Sequence, residues 1–281
     1  MSFQLYKDTS YKISKRLTLS YSTSFGWGIK AFKPEYRDPI FAIYSYVRVA
    51  DEIVDTFHDF DKKELLKKFE ADTWEAIEKG ISTNPVLYAF QETVNKYNID
   101  LKLIKAFLTS MEMDLSNSTY ERSNYDEYIY GSAEVVGLMC LKVFVNGSQE
   151  KYDELEHSAR MLGAAFQKVN FLRDIKSDII ERGRIYLPGV SELTFINNAN
   201  KKELEKEIDK EFHLAFLGII KLPISVKLGV YSAYLYYLVL FKKIKRMDVD
   251  KLMTKRVRIS NIHKLYLLLK SYFEVKLLKT T

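Results

Sequence analysis

The chain has 281 residues, 47% of them hydrophobic, and a formal net charge of +6. That length fits one large domain or two ordinary ones, with enough apolar content for a full core. A single cysteine, Cys140, excludes an intramolecular disulfide and suits a reducing compartment, and only five prolines and eleven glycines favour long helices.

Taken in order, residues 5–20 read as a helix carrying Leu5, Ile13 and Leu17 among lysines. Tyr21 to Gly26 is a hydroxyl-rich turn, fit either to cap a helix or to contact phosphate. Further helices are predicted over 36–57, 61–79, 84–96, 100–116, 124–146, 150–181, 200–220, 223–247 and 260–278. Strand-like alternation is rare and no linker or short repeat divides the chain. The expectation is a single all-α domain over residues 1–281, built around one core.

Several stretches stand out along the way. After Tyr130, Gly131, Ala133 and Gly137 put small residues inside a helical pattern, where they need a reason: tight helix packing, or room for a long ligand. The uncharged run Leu228–Phe241 is too short to span a bilayer comfortably, so a buried helix is expected first and an interfacial one second. From Lys242 to Thr281 there are 12 Lys/Arg against 3 Asp/Glu. A solvated face is the plainer reading; attraction to anionic lipid or polyphosphate is the functional one, and no nucleic-acid motif accompanies it. The N-terminus lacks a basic region followed by an apolar core, so no signal peptide is expected. The protein should be cytoplasmic, with peripheral membrane contact.

Two D-x-x-x-D pairs carry the chemistry: Asp51 and Asp55, with Arg48 three residues before, and Asp174 and Asp178, with Arg173 directly before. Gln167, Asn170, Asp174 and Asp178 form one polar stripe on a helix that is otherwise apolar. Such a stripe must be satisfied by something. One such pair is a weak signal and could be a structural ion pair, yet buried pairs are poor stabilisers. Two facing carboxylate clusters could hold Mg2+, which binds a few carboxylates together with substrate phosphates, while arginines grip the phosphate oxygens. The reaction implied is ionisation of an allylic diphosphate, leaving a cation that needs a dry cavity with aromatic faces. Competing machinery is absent: there is no G-x-G-x-x-G, Walker loop, nucleophile elbow or H-E-x-x-H, and the four histidines show no metal spacing.

N-x-L-R-D-x-x-x-D followed by R-G-R-x-Y-L-P, at Asn170 to Pro188, resembles the squalene/phytoene synthase family. S-x-S-F at 22–25, A-I-Y-x-x-x-R-x-x-D-E-x-x-D at 42–55 and the Tyr130–Gly137 stretch extend the likeness over roughly residues 8–275. The resemblance implies an isoprenoid-synthase helical fold with a central cavity. It implies that Asp51, Asp55, Asp174 and Asp178 hold Mg2+ (or Mn2+), with Glu52 beside them. Ser22, Ser24, Arg48 and Arg173 would contact diphosphate, and Gln167, Asn170 and Tyr130 would line the reacting centre. Tyr237 and Arg256 resemble the family's late phosphate contacts. The activity implied is head-to-head condensation of two prenyl diphosphates through a cyclopropyl diphosphate. C20 substrates giving phytoene are favoured, and no NADPH is expected. C15 dehydrosqualene or squalene synthesis, and a non-catalytic helper of the same fold, remain the alternatives. Thr23 and Glu134 depart from the pattern of many relatives, which have lysine and glycine there.

Overall fold

The computed structural model describes residues 2–116, 118–188, 190 and 197–277, with the side chains of Thr23 and Ser24 outside that description. Among the described residues there are helices and no strand; the one bridge pairs Thr119 with Ile185. The helices are α1 (Phe3–Tyr21), α2 (Thr23–Lys30), α3 (Pro34–Asp55), α4 (Lys62–Lys79), α5 (Pro85–Tyr97), α6 (Leu101–Ser116) and α7 (Arg122–Ile129). A π-helical turn, Tyr130–Glu134, leads into α8 (Val135–Phe144). Then follow α9 (Gln149–Ile180), α10 (Asn198–Ile219), α11 (Ile224–Lys245), α12 (Val249–Thr254) and α13 (Asn261–Leu277).

Local chemistry fixes most boundaries. Asp61, Asn84 and Ser148 each cap a helix by accepting a backbone N–H, and Pro85 occupies the first helical position where its missing donor costs nothing. Gly80 and Asn98 end α4 and α5 in the left-handed conformation. The turn expected at 21–26 is instead the start of α2, with Ser22 as its N-cap. The single helix predicted over 124–146 is α7 and α8 joined by the π-turn. There Gly131 lies on α6 so closely that a Cβ would stand 2.5 Å from the Ala106 carbonyl oxygen. Packing is thus a reason for that glycine.

α3 packs against α1, α5, α6 and α8, while α9 runs along α10 and touches α8, α11 and α12. The two helices carrying the D-x-x-x-D pairs therefore form opposing walls. α11 is apolar and long enough to cross a membrane by length and composition, but 61% of its apolar stretch is buried in this fold. It is a core helix here, packed on α2, α9, α10 and α13. The apolar residues of these helices form one continuous core.

Candidate active site

A cavity of about 850 Å3 lies between α2, α3, α8, α9 and α11. Its deep wall is apolar, with Ile29, Phe32, Leu141, Phe144, Leu155 and Leu222. Cys140 also faces it, and burial pushes that thiol up to about 12, keeping it protonated. Midway lie aromatic faces: Phe166 stacks on Tyr237 at 3.9 Å between centroids, and Phe25 tilts against Tyr44 at 4.9 Å. Burial raises both phenols, Tyr237 to about 12 and Tyr44 well above its ordinary value, so both stay neutral.

The other end is polar. Of the residues singled out in the sequence, Ser22, Arg48, Asp51, Gln167, Asn170, Arg173, Tyr237 and Arg256 all line the cavity. Tyr237 Oη donates to Asn170 Oδ1 at 3.1 Å, and Asn170 Nδ2 donates to Gln167 Oε1 at 3.4 Å. Arg48 pairs with Glu52, covers the Tyr21 ring at 4.6 Å, and leaves its Nε buried without a hydrogen-bond partner. Ser132 Oγ, also on the cavity wall, is likewise unpartnered. These are donors waiting for an acceptor.

Asp174 is clasped from two directions. Arg173 Nε donates to Oδ1 at 2.9 Å, and Arg256 donates through Nε to Oδ1 at 2.6 Å and through Nη2 to Oδ2 at 3.1 Å. Burial works against its charge, yet the two guanidinium groups hold its carboxyl below the ordinary value. Asp55, Asp174 and Asp178 do not line the cavity; they lie behind its rim. Arg182 lies 3.5 Å from Asp55 and donates to Asp178 at 2.7 Å, so one guanidinium joins the two D-x-x-x-D pairs. Asp51 and Asp178 are each pushed up to about 7, first by burial and then by neighbouring carboxylates.

Arg184 continues the link inward. Its Nη1 donates to Asp55 at 2.7 Å, its Nη2 to the Val54 carbonyl at 3.2 Å, and it lies 3.7 Å from Asp114. Asp114 is buried on α6 and accepts from Tyr186 at 2.7 Å, Tyr128 at 2.8 Å and Tyr120 at 3.1 Å. Gly183, at φ +67°, makes the left-handed turn that swings Arg184 and Tyr186 back from the end of α9.

Two expectations need restating. Tyr130 does not line the cavity; the Arg160 guanidinium lies 5.2 Å from its ring, and Arg160 pairs with Glu134. Tyr128, two positions earlier and so on the far side of the helix, is the tyrosine of this stretch that reaches the cavity wall. Ser24 belongs to α2 by its backbone, and its side chain lies outside the described residues. Asp114, Arg182, Arg184 and Tyr186 were not singled out as site residues. The R-G-R-x-Y run was the signal for three of them, and Asp114 gave only a lone acid on an apolar helix face.

Residues 19–263 match the family described as squalene/phytoene synthase. Phytoene synthase of Arthrospira platensis is 29% identical over 273 residues, covering 87% of this chain and 86% of that protein. Chloroplastic phytoene synthase 1 of Solanum lycopersicum is 30% identical over 268 residues, 87% of this chain but 63% of that protein. A solved dehydrosqualene synthase in complex with ligand superposes with a TM-score of 0.81 at 21% identity, covering 98% of this chain and 99% of that one. Squalene synthase HpnC from Alicyclobacillus acidocaldarius does so with a TM-score of 0.74 at 19% identity, over 86% and 95%. The fold is that of these isoprenoid synthases, and the chain belongs to the squalene/phytoene synthase family of prenyltransferases.

Proposed function

We propose that this protein, acting as a single domain, condenses two geranylgeranyl diphosphates into phytoene, a carotenoid precursor, by way of a cyclopropyl diphosphate. Two pyrophosphates and two protons leave, one proton on closure of the cyclopropane and one when the last cation is quenched, so the balance needs no hydride donor and no NADPH. The observation that carries the reading is that two acidic motifs, joined through Arg182, stand just behind the polar rim of an otherwise apolar and aromatic cavity, with Asp51 on its wall. The similarity to phytoene synthases of cyanobacterial and plant origin supports the C20 substrate.

The chain's own groups divide the work. Arg48, with its unpartnered Nε, would take a diphosphate oxygen, and Arg173 and Arg256 would do the same on release from Asp174. Phe25, Tyr44, Phe166 and Tyr237 present aromatic faces to the allylic cation, and as neutral phenols the two tyrosines are poor traps for it. The apolar wall excludes the water that would quench the cation.

The donor set fits Mg2+, or Mn2+ in its place. It is all carboxylate, and Asp51 and Asp178 are raised first by burial and further by neighbouring carboxylates, a strain that a bound cation would relieve. Among the described residues no three metal-binding side chains are gathered, so an ion here would need phosphate oxygens as further ligands. Asp51, Asp55, Asp174 and Asp178 would hold it. When bound it would polarise the diphosphate and stabilise its departure.

The test incubates purified protein with C15 or C20 diphosphate, with and without NADPH, and identifies the hydrocarbon by mass. A C40 product from the C20 substrate with Mg2+ alone is expected. A C30 product from C15 and none from C20 would move the reading to dehydrosqualene or squalene synthesis. No hydrocarbon from either would leave a non-catalytic helper. A greasy substrate and product also favour a cytoplasmic protein in peripheral contact with membrane.

A further inference from the structure

α13 is apolar on two opposite sides. Leu267, Ser271 and Val275 face inward and are buried, consistent with the packing of α13 on α11. Ile262, Leu265, Tyr266, Leu269 and Phe273 recur at steps of three, one, three and four. At 3.6 residues per turn they fall within an arc of about 100° on the far side. These five are 49–84% exposed. A helix covering a soluble protein needs one apolar face; the second has no partner within the described chain.

The charges around this face are mostly positive. From Lys255 to Leu277 there are six Lys/Arg and one acid, Glu274, which accepts from Tyr231 and lies near Lys270. The helix also begins at the cavity: Arg258, Ile259, Asn261 and Lys264 line it. The exposed apolar strip therefore starts beside residues of the cavity wall.

We propose that α13 docks the protein on an anionic bilayer. Its outer strip sinks into the acyl boundary, its basic residues meet lipid phosphates, and the cavity edge at Arg258–Lys264 is held against the surface. A long apolar chain could then pass between bilayer and cavity with little exposure to water. This last step rests on the prenyl reading of the site; docking itself does not. The occupant is identified by the pairing of a wide apolar strip with surrounding positive charge, which suits an anionic lipid surface better than a neutral protein face.

The test uses the full chain and vesicles of phosphatidylcholine, alone or with about a third phosphatidylglycerol. Co-sedimentation with the anionic vesicles is expected, weakening as salt rises. Ile262→Ser/Leu269→Ser/Phe273→Ser, at positions away from the cavity wall, should lower vesicle partitioning at least about tenfold. Pyrophosphate release from detergent-dispersed substrate should be unchanged. A separate Phe273→Trp variant should show a blue-shifted emission on anionic vesicles, quenched by brominated lipid. Equal partitioning of the triple variant and wild type, or an unquenched Phe273→Trp, would overturn the proposal. So would a wild type that ignores vesicles but forms a dimer which the triple substitution splits, since the strip would then belong to a second copy. Vesicle docking without turnover of any prenyl diphosphate would support the docking surface and reject the reading of the site.

Discussion

Arg184 and Arg256 both bind aspartates of the paired motifs, yet one is buried and the other half exposed. Removing Arg184 leaves Asp114 inside the protein without its nearest cation. Arg184→Met should therefore cost about 3–5 kcal/mol in denaturant unfolding. Arg256→Gln should shift stability by only about 0.5 kcal/mol, because water screens the pair, while lowering turnover at least about tenfold. The aspartates should divide in a parallel way. Asp51→Asn and Asp174→Asn are both expected to abolish turnover with far-UV circular dichroism intact. Asp174→Asn should also lower the melting temperature, since it breaks a double clasp. Asp51→Asn should not, since Asp51 carries its charge against burial and its acidic neighbours. Full activity of either variant with Mg2+ present would remove it from the site.

Between α9 and α10 one cation serves two anions. Lys168 pairs with both Glu207 and Glu211, and Arg122 also pairs with Glu207. Burial first, then Glu207 and Glu134, raise Glu211 to about 7, although Lys168 opposes them. Its contribution to stability is thus full below the ordinary glutamate range and is lost as pH rises through about 7. Glu211→Gln should gain on wild type between pH 5 and 8, by up to about 3 kcal/mol, read from paired melts across pH. A difference that stays flat across that range would contradict it. At this scale, too, the limits of sequence are plain. The long periodic helices were legible, and α3 and α9 differ from 36–57 and 150–181 by no more than two residues at any end. α2 was read as a turn because Gly26 and Gly28 weaken an eight-residue helix whose support comes from α11 and α3. α12, six residues long, gives too short a pattern to register. The π-turn at Tyr130–Glu134 leaves no trace in a 3.6-residue period, and Tyr130 rather than Tyr128 was placed at the centre. Asp114 could not be found because its meaning lies in Arg184 and Tyr186, far along the chain, and in Tyr120 and Tyr128 beyond the end of its own helix.

Across the whole molecule the cavity binds together elements from α2 to α13, so a ligand filling its polar end should stabilise the entire fold. Mg2+ and pyrophosphate together should raise the melting temperature by about 5 °C or more at saturation, and either alone by much less. Equal shifts from pyrophosphate alone and from the pair would count against a shared metal–diphosphate site. The reason for synergy lies in the clasp on Asp174. Arg173 and Arg256 reach the cavity with a counter-ion already in hand, so the pocket is closer to an internal salt than to an open positive well. An arriving anion must evict a carboxylate, and the evicted carboxylate is then free to accept a cation. Binding becomes an exchange of partners, as in the double decomposition of two salts, and the net charge of the pocket changes little. Stray phosphate and sulfate, which bring no suitable cation, would be poor competitors, and affinity for the metal diphosphate should fall only shallowly with added salt.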